Sequence, residues 1–295
     1  MTAAFPDWNS AIQSEQGKIE FSIKSIVIPL DDNQPSRTAL PVAHTLAELY
    51  RCVLHIMYVG KEQLDINHAA SQLGLAAEQA RGAIFEQRSG APDDAVAPRG
   101  DNSEGLLVTS TTVGSQEAEN RFGFLTESFL AAKPQRAVLV NPDAGYKPWS
   151  FRRILLAHDG TPISNPAVAA AADLAQRAGA EVIALHVAAR GEERPEARGS
   201  IAAPLYVDQP HHEWPAWAEE FMNRVVASGA LGSGVHFKLK VTGGQAASEL
   251  AGVAHECNVD LVIMAWHGHW TEHEDCATRV VIRNAGCPVM LVYSA

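Results

Sequence analysis

"RILLAHDGTPISNPAVAAAADLAQRAGAEVIALHV", Arg153–Val187, carries three elements in one short run. Its first apolar stretch, Ile154–Ala157, is too brief for a helix and stops at His158-Asp159. Turn-forming residues follow, and then apolar positions recur at helical spacing from Ser164 until Gly179 halts them. Ser164 reads as an N-cap and Gly179 as a C-terminal stop. A second apolar run, Glu181–Val187, completes a strand, a helix and a strand. Strands apolar on both faces and joined through a helix belong to a buried parallel sheet with right-handed crossovers.

The same phrase occurs earlier. "KSIVIPLD" (Lys24–Asp31) ends at an aspartate as Arg153–Asp159 does, and it leads into a helix from Ser36, the second expected N-cap. The strand "CVLHIMYV" then ends at Val59 as its counterpart ends at Val187. Around Gly90, "EQRSGAPDDAV" matches "LKVTGGQAASEL" around Gly243 as strand, glycine turn and helix start. "GLLVTST" from Gly105 matches "DLVIMAW" from Asp260, and each half closes with a helix, a turn and a final strand. Both halves therefore read β-α-β-α-β-α-β-α-β. The Pro- and Gly-containing "NPDAGYKPWS" between them is a linker. The expected organisation is an extension over 1–20, an α/β domain over 21–142, a linker over 143–149 and a second α/β domain over 150–295.

A net charge of −11 argues against a nucleic-acid partner, because duplex binding needs clustered Lys and Arg to release counterions. No apolar run approaches the roughly 18 residues of a membrane span. The four cysteines are scattered without a CxxC pair, which suits reduced thiols, and the first residues lack the basic and apolar regions of a signal peptide. A cytoplasmic location is expected.

With these residues in view, the chain resembles the universal stress protein family, as a tandem, two-domain member. The likeness covers nearly everything after residue 20 and is strongest in Arg153–Val187 and in "NAGCPVMLV". It implies two Rossmann-like domains of the adenine nucleotide alpha hydrolase type, each a five-stranded parallel sheet of order 3-2-1-4-5 flanked by helices. It also implies that the fifth strands pair, giving an intramolecular pseudo-dimer or, between subunits, a homodimer. In the family's ATP binders an aspartate at the end of the first strand and backbone groups at the end of the second hold adenosine. Those positions are Asp31 and Val59 here, and Asp159 and Val187 in the second half. On the residues alone, such an aspartate equally well accepts the N–H groups of its own turn.

Family binders carry G-x2-G-x9-G-[ST] after the fourth strand, where glycines let backbone N–H groups approach phosphates at a helix N-terminus. The first half reads Ser110-x2-Val113-x9-Gly123-Phe124, keeping the spacer but losing two glycines and the hydroxyl. The second reads Ala265-x2-Gly268, then six residues, then Asp275-Cys276. A carboxylate roughly 6 Å from a phosphate charge costs about 3 kcal/mol at an effective dielectric near 20, and about 0.7 in bulk water. An exposed helix end returns only about 0.3–1 kcal/mol. Asp275 is therefore expected to cap the last helix itself, and neither half is expected to hold ATP tightly.

Other readings stay open. His267, His269, His273 and Cys276 offer imidazole and thiolate groups suited to Zn²⁺, and His211-His212-Glu213 could form a second metal patch. Trp217, Phe221 and Val225 fall at helical spacing and read as core or as a lid over the sheet end, under which a small ligand could lie. No G-x-S-x-G elbow, P-loop or G-x-G-x-x-G follows a strand, and His158 and Asp159 point to opposite sides of theirs, so catalysis is not expected. The reading is a non-catalytic stress-response binding or signalling module with degenerate nucleotide pockets and an unidentified small-molecule or protein partner. Its alternatives are an ATP or nucleotide binder with rearranged loops, and a metal-binding protein or metal-dependent enzyme using the 267–276 loop.

Overall fold

A computed structural model of the chain describes residues 22–31, 34–60, 63, 65, 68–78, 80–88, 104–111, 124–142, 148–188, 213–228, 235–268 and 277–294. They fall into two compact units, one built on Ser22–Ser150 and one on Phe151–His267 with the C-terminal elements.

The first unit runs β1 (Ser25–Leu30), α1 (Leu40–Tyr50), β2 (Val53–Tyr58), α2 (Ala69–Gln72), β3 (Ala83–Gln87), β4 (Gly105–Ser110), α3 (Phe124–Ala131) and β5 (Arg136–Val140). Its strands pair in parallel in the order β3-β2-β1-β4-β5. Val27 of β1 sits opposite His55 of β2 and Leu107 of β4. Ile26, Ile28, Ile56 and Val108 are fully buried, as both-sided burial of central parallel strands requires. The helix expected from "APDDAV" lies outside the described residues.

The second unit repeats this plan. It runs β6 (Arg153–Ala157), α4 (Asn165–Ala178), β7 (Glu181–Ala188), α5 (Glu213–Ser228), β8 (Phe237–Gly243), α6 (Ala246–Glu256), β9 (Leu261–Trp266), α7 (Ala277–Asn284) and β10 (Val289–Tyr293). All pairs are parallel, in the order β8-β7-β6-β9-β10. Each unit thus has the 3-2-1-4-5 order of a Rossmann-like sheet. Helix α4 is built largely of alanine, and Ala167, Val168, Ala170 and Ala171 are fully buried against the strands. Small side chains let its axis lie close to the sheet, and alanine loses least entropy in a helix.

Two capping expectations need correction. Ser36 lies inside a 3-10 segment, Gln34–Ala39, and α1 begins at Leu40 without a side-chain cap. Ser164 occupies the N-cap position of α4, but in a helical conformation and without a capping hydrogen bond. Its hydroxyl donates instead to Asp159. A charged acceptor beside it outcompetes the helix's own N–H groups. Gly179 does close α4 in the left-handed conformation, at φ 65°. Arg51 does the same for α1 at φ 51°, where an L side chain is strained.

The two C-caps therefore predict opposite responses in chemical denaturation. Gly179→Ala should destabilise the second unit by about 1–2 kcal/mol. Exposed Arg51→Gly should leave the first unit equally stable or up to about 1 kcal/mol more stable, as strain relief offsets added chain entropy.

Candidate functional site

The carboxyl ends of parallel strands share one edge of a sheet, and ligands of such folds bind outside it. In the second unit that edge begins at His158-Asp159, directly after β6. The two residues point to opposite sides: His158 is 6% exposed, whereas Asp159 is exposed.

Asp159 closes its own turn. Its Oδ1 accepts hydrogen bonds from the Thr161 N–H at 2.8 Å, the Thr161 hydroxyl at 2.8 Å and the Ser164 hydroxyl at 2.7 Å. Burial alone would raise its pKa, but the hydrogen bonds from Ser164 and Thr161 outweigh that and hold the carboxyl below its usual range. The turn reading of this aspartate accounts for all that Oδ1 does. The sequence signal was D-G-T-x-x-S, which places two hydroxyls within reach of one carboxylate.

His158 faces the interior. Its Nδ1 accepts the Gly160 N–H at 3.0 Å, a turn that needs the left-handed backbone of Gly160 at φ 85°. His186, on neighbouring β7, donates from Nδ1 to the His158 carbonyl at 3.0 Å. Both imidazoles lie 5.2 Å from the Phe221 ring in edge-on geometry, and Trp217 lies 5.2 Å from His186. Trp217, Phe221 and Val225 are buried, so the aromatic stripe of α5 packs over these strand ends. Burial drives the His158 pKa down to about 4, helped by the His186 ring and opposed by Asp159. Burial also lowers His186, against its hydrogen bond to the His158 carbonyl. Both rings are neutral near pH 7. The sequence reading missed His186; its signal was one polar side chain inside an otherwise apolar strand.

The register brings the expected pocket positions together in pairs. Ala157 opposite Leu185 sets Asp159 level with Val187, and Leu30 opposite Tyr58 sets Asp31 level with Val59. Val59 spends its N–H on the Leu30 carbonyl at 2.8 Å. Past β9, Gly268 is buried and takes φ 72°, the left-handed conformation a glycine loop uses. In the first unit Ser110, at the position of the motif's first glycine, is buried, with its hydroxyl 3.0 Å from that of Thr38. The Thr126 hydroxyl donates to the Ser110 carbonyl at 2.8 Å.

Of the expected zinc ligands only His267 is described, and it is exposed. His269, His273 and Cys276 lie outside the described residues, as do Gly123, Val113, Asp275, His211 and His212. Among the described residues, no group of three His, Cys, Asp or Glu side chains is placed to hold a metal ion. No helix among them is long and apolar enough to cross a membrane.

Comparison with known proteins gives the following. The model of the universal stress protein family matches residues 150–293. A universal stress protein of Archaeoglobus fulgidus DSM 4304 is similar in structure, with TM-score 0.60 at 16% identity, over 93% of this chain and 98% of its own. A functionally unknown protein of Pseudomonas aeruginosa PAO1 gives 0.60 at 16% identity, over 92% and 93%. The cytoplasmic domain of a prokaryotic cation chloride cotransporter gives 0.50 at 10% identity, over 92% and 95%. At these identities the likeness is one of fold. No curated protein matches the chain significantly.

Two measurements check the electrostatics. The His158 pKa is about 4 when folded against an ordinary 6.5, so below pH 6.5 the unfolded chain takes up a proton that the folded one refuses. Stability of the second unit should therefore fall between pH 6.5 and about 4, by about 3 kcal/mol from this group. Asp159, whose folded pKa is depressed, contributes stability above its unfolded value that is lost at still lower pH. Denaturation curves against pH should show this loss. Asp159→Ala, which orphans three donors, should cost about 2 kcal/mol at pH 7.

Proposed function

Because residues 150–293 form a domain of the universal stress protein family, we propose that the whole chain is a tandem universal stress protein acting as a non-catalytic stress-response binding or signalling module. In this reading its two nucleotide pockets are degenerate and neither holds ATP tightly.

The observation that carries the reading is the commitment of Asp159. Three hydrogen bonds from Thr161 and Ser164 converge on Oδ1, so the carboxylate's work is local. The phosphate side agrees. The Gly268 loop is three residues shorter than the family motif and carries Glu272, Glu274 and Asp275, with no lysine or arginine between Gly268 and Cys276. A triphosphate placed there meets carboxylates at an energy that a helix N-terminus does not offset. In the first unit the Ser110 hydroxyl is turned onto Thr38.

One observation favours the second reading, a nucleotide binder with rearranged loops. Gly268 keeps the left-handed backbone on which a phosphate loop is built, and Asp159 is exposed on its outer side. Titration calorimetry separates the two. With the full chain at low micromolar concentration and no added metal, ATP should give no measurable heat. A micromolar dissociation constant would instead establish the second reading. Elemental analysis of protein prepared without a His-tag tests the zinc alternative, which requires one equivalent per chain.

A further inference from the structure

A lysine, a cysteine and a glutamate meet at the C-terminal end of α6, apart from the residues of either nucleotide pocket. Cys257 caps α6, and its half-buried thiol lies 4.0 Å from Lys240 Nζ, within reach of a hydrogen bond to sulfur. Lys240 extends from β8, which lies at the edge of the second unit's sheet among the described strands. The same Nζ donates to Glu256 Oε2 at 2.6 Å. One amine is thus held between two consecutive side chains, a carboxylate and a thiol. The Lys240 side chain is 27% exposed and that of Glu256 67%, so water and small solutes reach the group.

The surroundings decide which oxidised product this thiol can form. A thiol oxidised to a sulfenic acid condenses with a second thiol or with a nearby nitrogen. Cys287, in the same unit, is buried, and burial together with the Asp260 carboxylate pushes its pKa up to about 12, which leaves it a poor nucleophile. Burial likewise raises the Cys52 thiol. The backbone nitrogen of Asn258, next to Cys257, is spent on the His255 carbonyl at 3.1 Å, in a residue held at φ 49°. Among the described residues, Lys240 Nζ is the amine in contact with the sulfur. Its four-carbon stem is flexible enough to close the remaining distance.

We propose that Lys240 and Cys257 form a peroxide-responsive covalent switch, an N–S cross-link that ties β8 to the end of α6. In the first step the Cys257 sulfur attacks one oxygen of hydrogen peroxide and the O–O bond breaks. Sulfenic acid and water result, the sulfur giving up two electrons and the peroxide taking them. In the second step Nζ passes a proton to Glu256 Oε2, and its freed electron pair attacks Sγ. The S–O bond breaks, hydroxide leaves as water with the proton from Glu256, and the nitrogen sheds one further proton to solvent. A dithiol undoes the link, restoring amine and thiol as it closes to its own disulfide. None of these contacts involves the His158–Ser164 turn or the Gly268 loop, so the switch stands whether or not either half binds a nucleotide.

Peptide mapping of the full chain by mass spectrometry, after treatment with hydrogen peroxide, tests this. The expected result is one peptide pair joined through Lys240 and Cys257, lighter than the sum of its parts by two hydrogens. It should resist trypsin after Lys240 and come apart in dithiothreitol. Dimedone, which captures sulfenic acids, supplies a second readout when added after the peroxide. It should label Cys257 weakly in the native chain and several-fold more in Lys240→Gln, whose amide cannot make the link. Cys257 recovered unoxidised, joined to another cysteine, or labelled equally in both proteins overturns the proposal.

Discussion

Everything in each unit follows from one constraint: a central parallel strand has no face to give to water. Ile154, Leu155 and Leu156 of β6 are all fully buried. Consecutive side chains of a strand point to opposite faces, so cover is needed on both sides of the sheet. The chain supplies it with crossover helices. The alanine-rich α4 is the extreme case, since small side chains permit close approach over a continuous surface. Polar groups are thereby expelled from the strands and gather where strands end.

That expulsion explains the chemistry at His158–Ser164. The first residues past β6 are an imidazole turned inward and a carboxylate turned outward, one for each side of the strand. Each meets the requirement of its side. The carboxylate collects donors from a tight turn, which holds it ionised. The imidazole, surrounded by Phe221, His186 and the sheet, stays neutral because burial costs the charged form more than Asp159 returns. The same turn fixes which ring nitrogen bears the proton, through the Gly160 N–H. A local hydrogen bond thus sets the donor that faces the interior.

The two units share a plan but differ at the ends of their first and fourth strands. Asp31 and Asp159 both sit at the end of a first strand, level with Val59 and Val187. Only the second unit has an inward histidine beside its aspartate, because Leu30 occupies that position in the first. The loops after the fourth strands diverge further, keeping Gly268 in one half and Ser110 hydrogen-bonded to Thr38 in the other. A fold shared at about 16% identity with proteins such as that of Archaeoglobus fulgidus tolerates this. Packing constrains the strands, while the loop ends are free to change chemistry.

Periodicity and repetition by themselves settled the strand–helix alternation and the stop at Gly179, while the strand order within each unit was implied only by the resemblance to the universal stress protein family. The alternation and the stop depend on local spacing and on burial, both of which are written in side-chain type. The core role of Trp217 and Phe221 was legible for the same reason. What the spacing left open was which donor a given polar side chain answers. Ser164 has the residue type of an N-cap but serves Asp159, and His186, unremarked in its apolar strand, donates to the His158 carbonyl at 3.0 Å. Hydrogen bonds across strands and turns are decided by three-dimensional proximity, and only the folded arrangement of β6, β7 and α5 determines it.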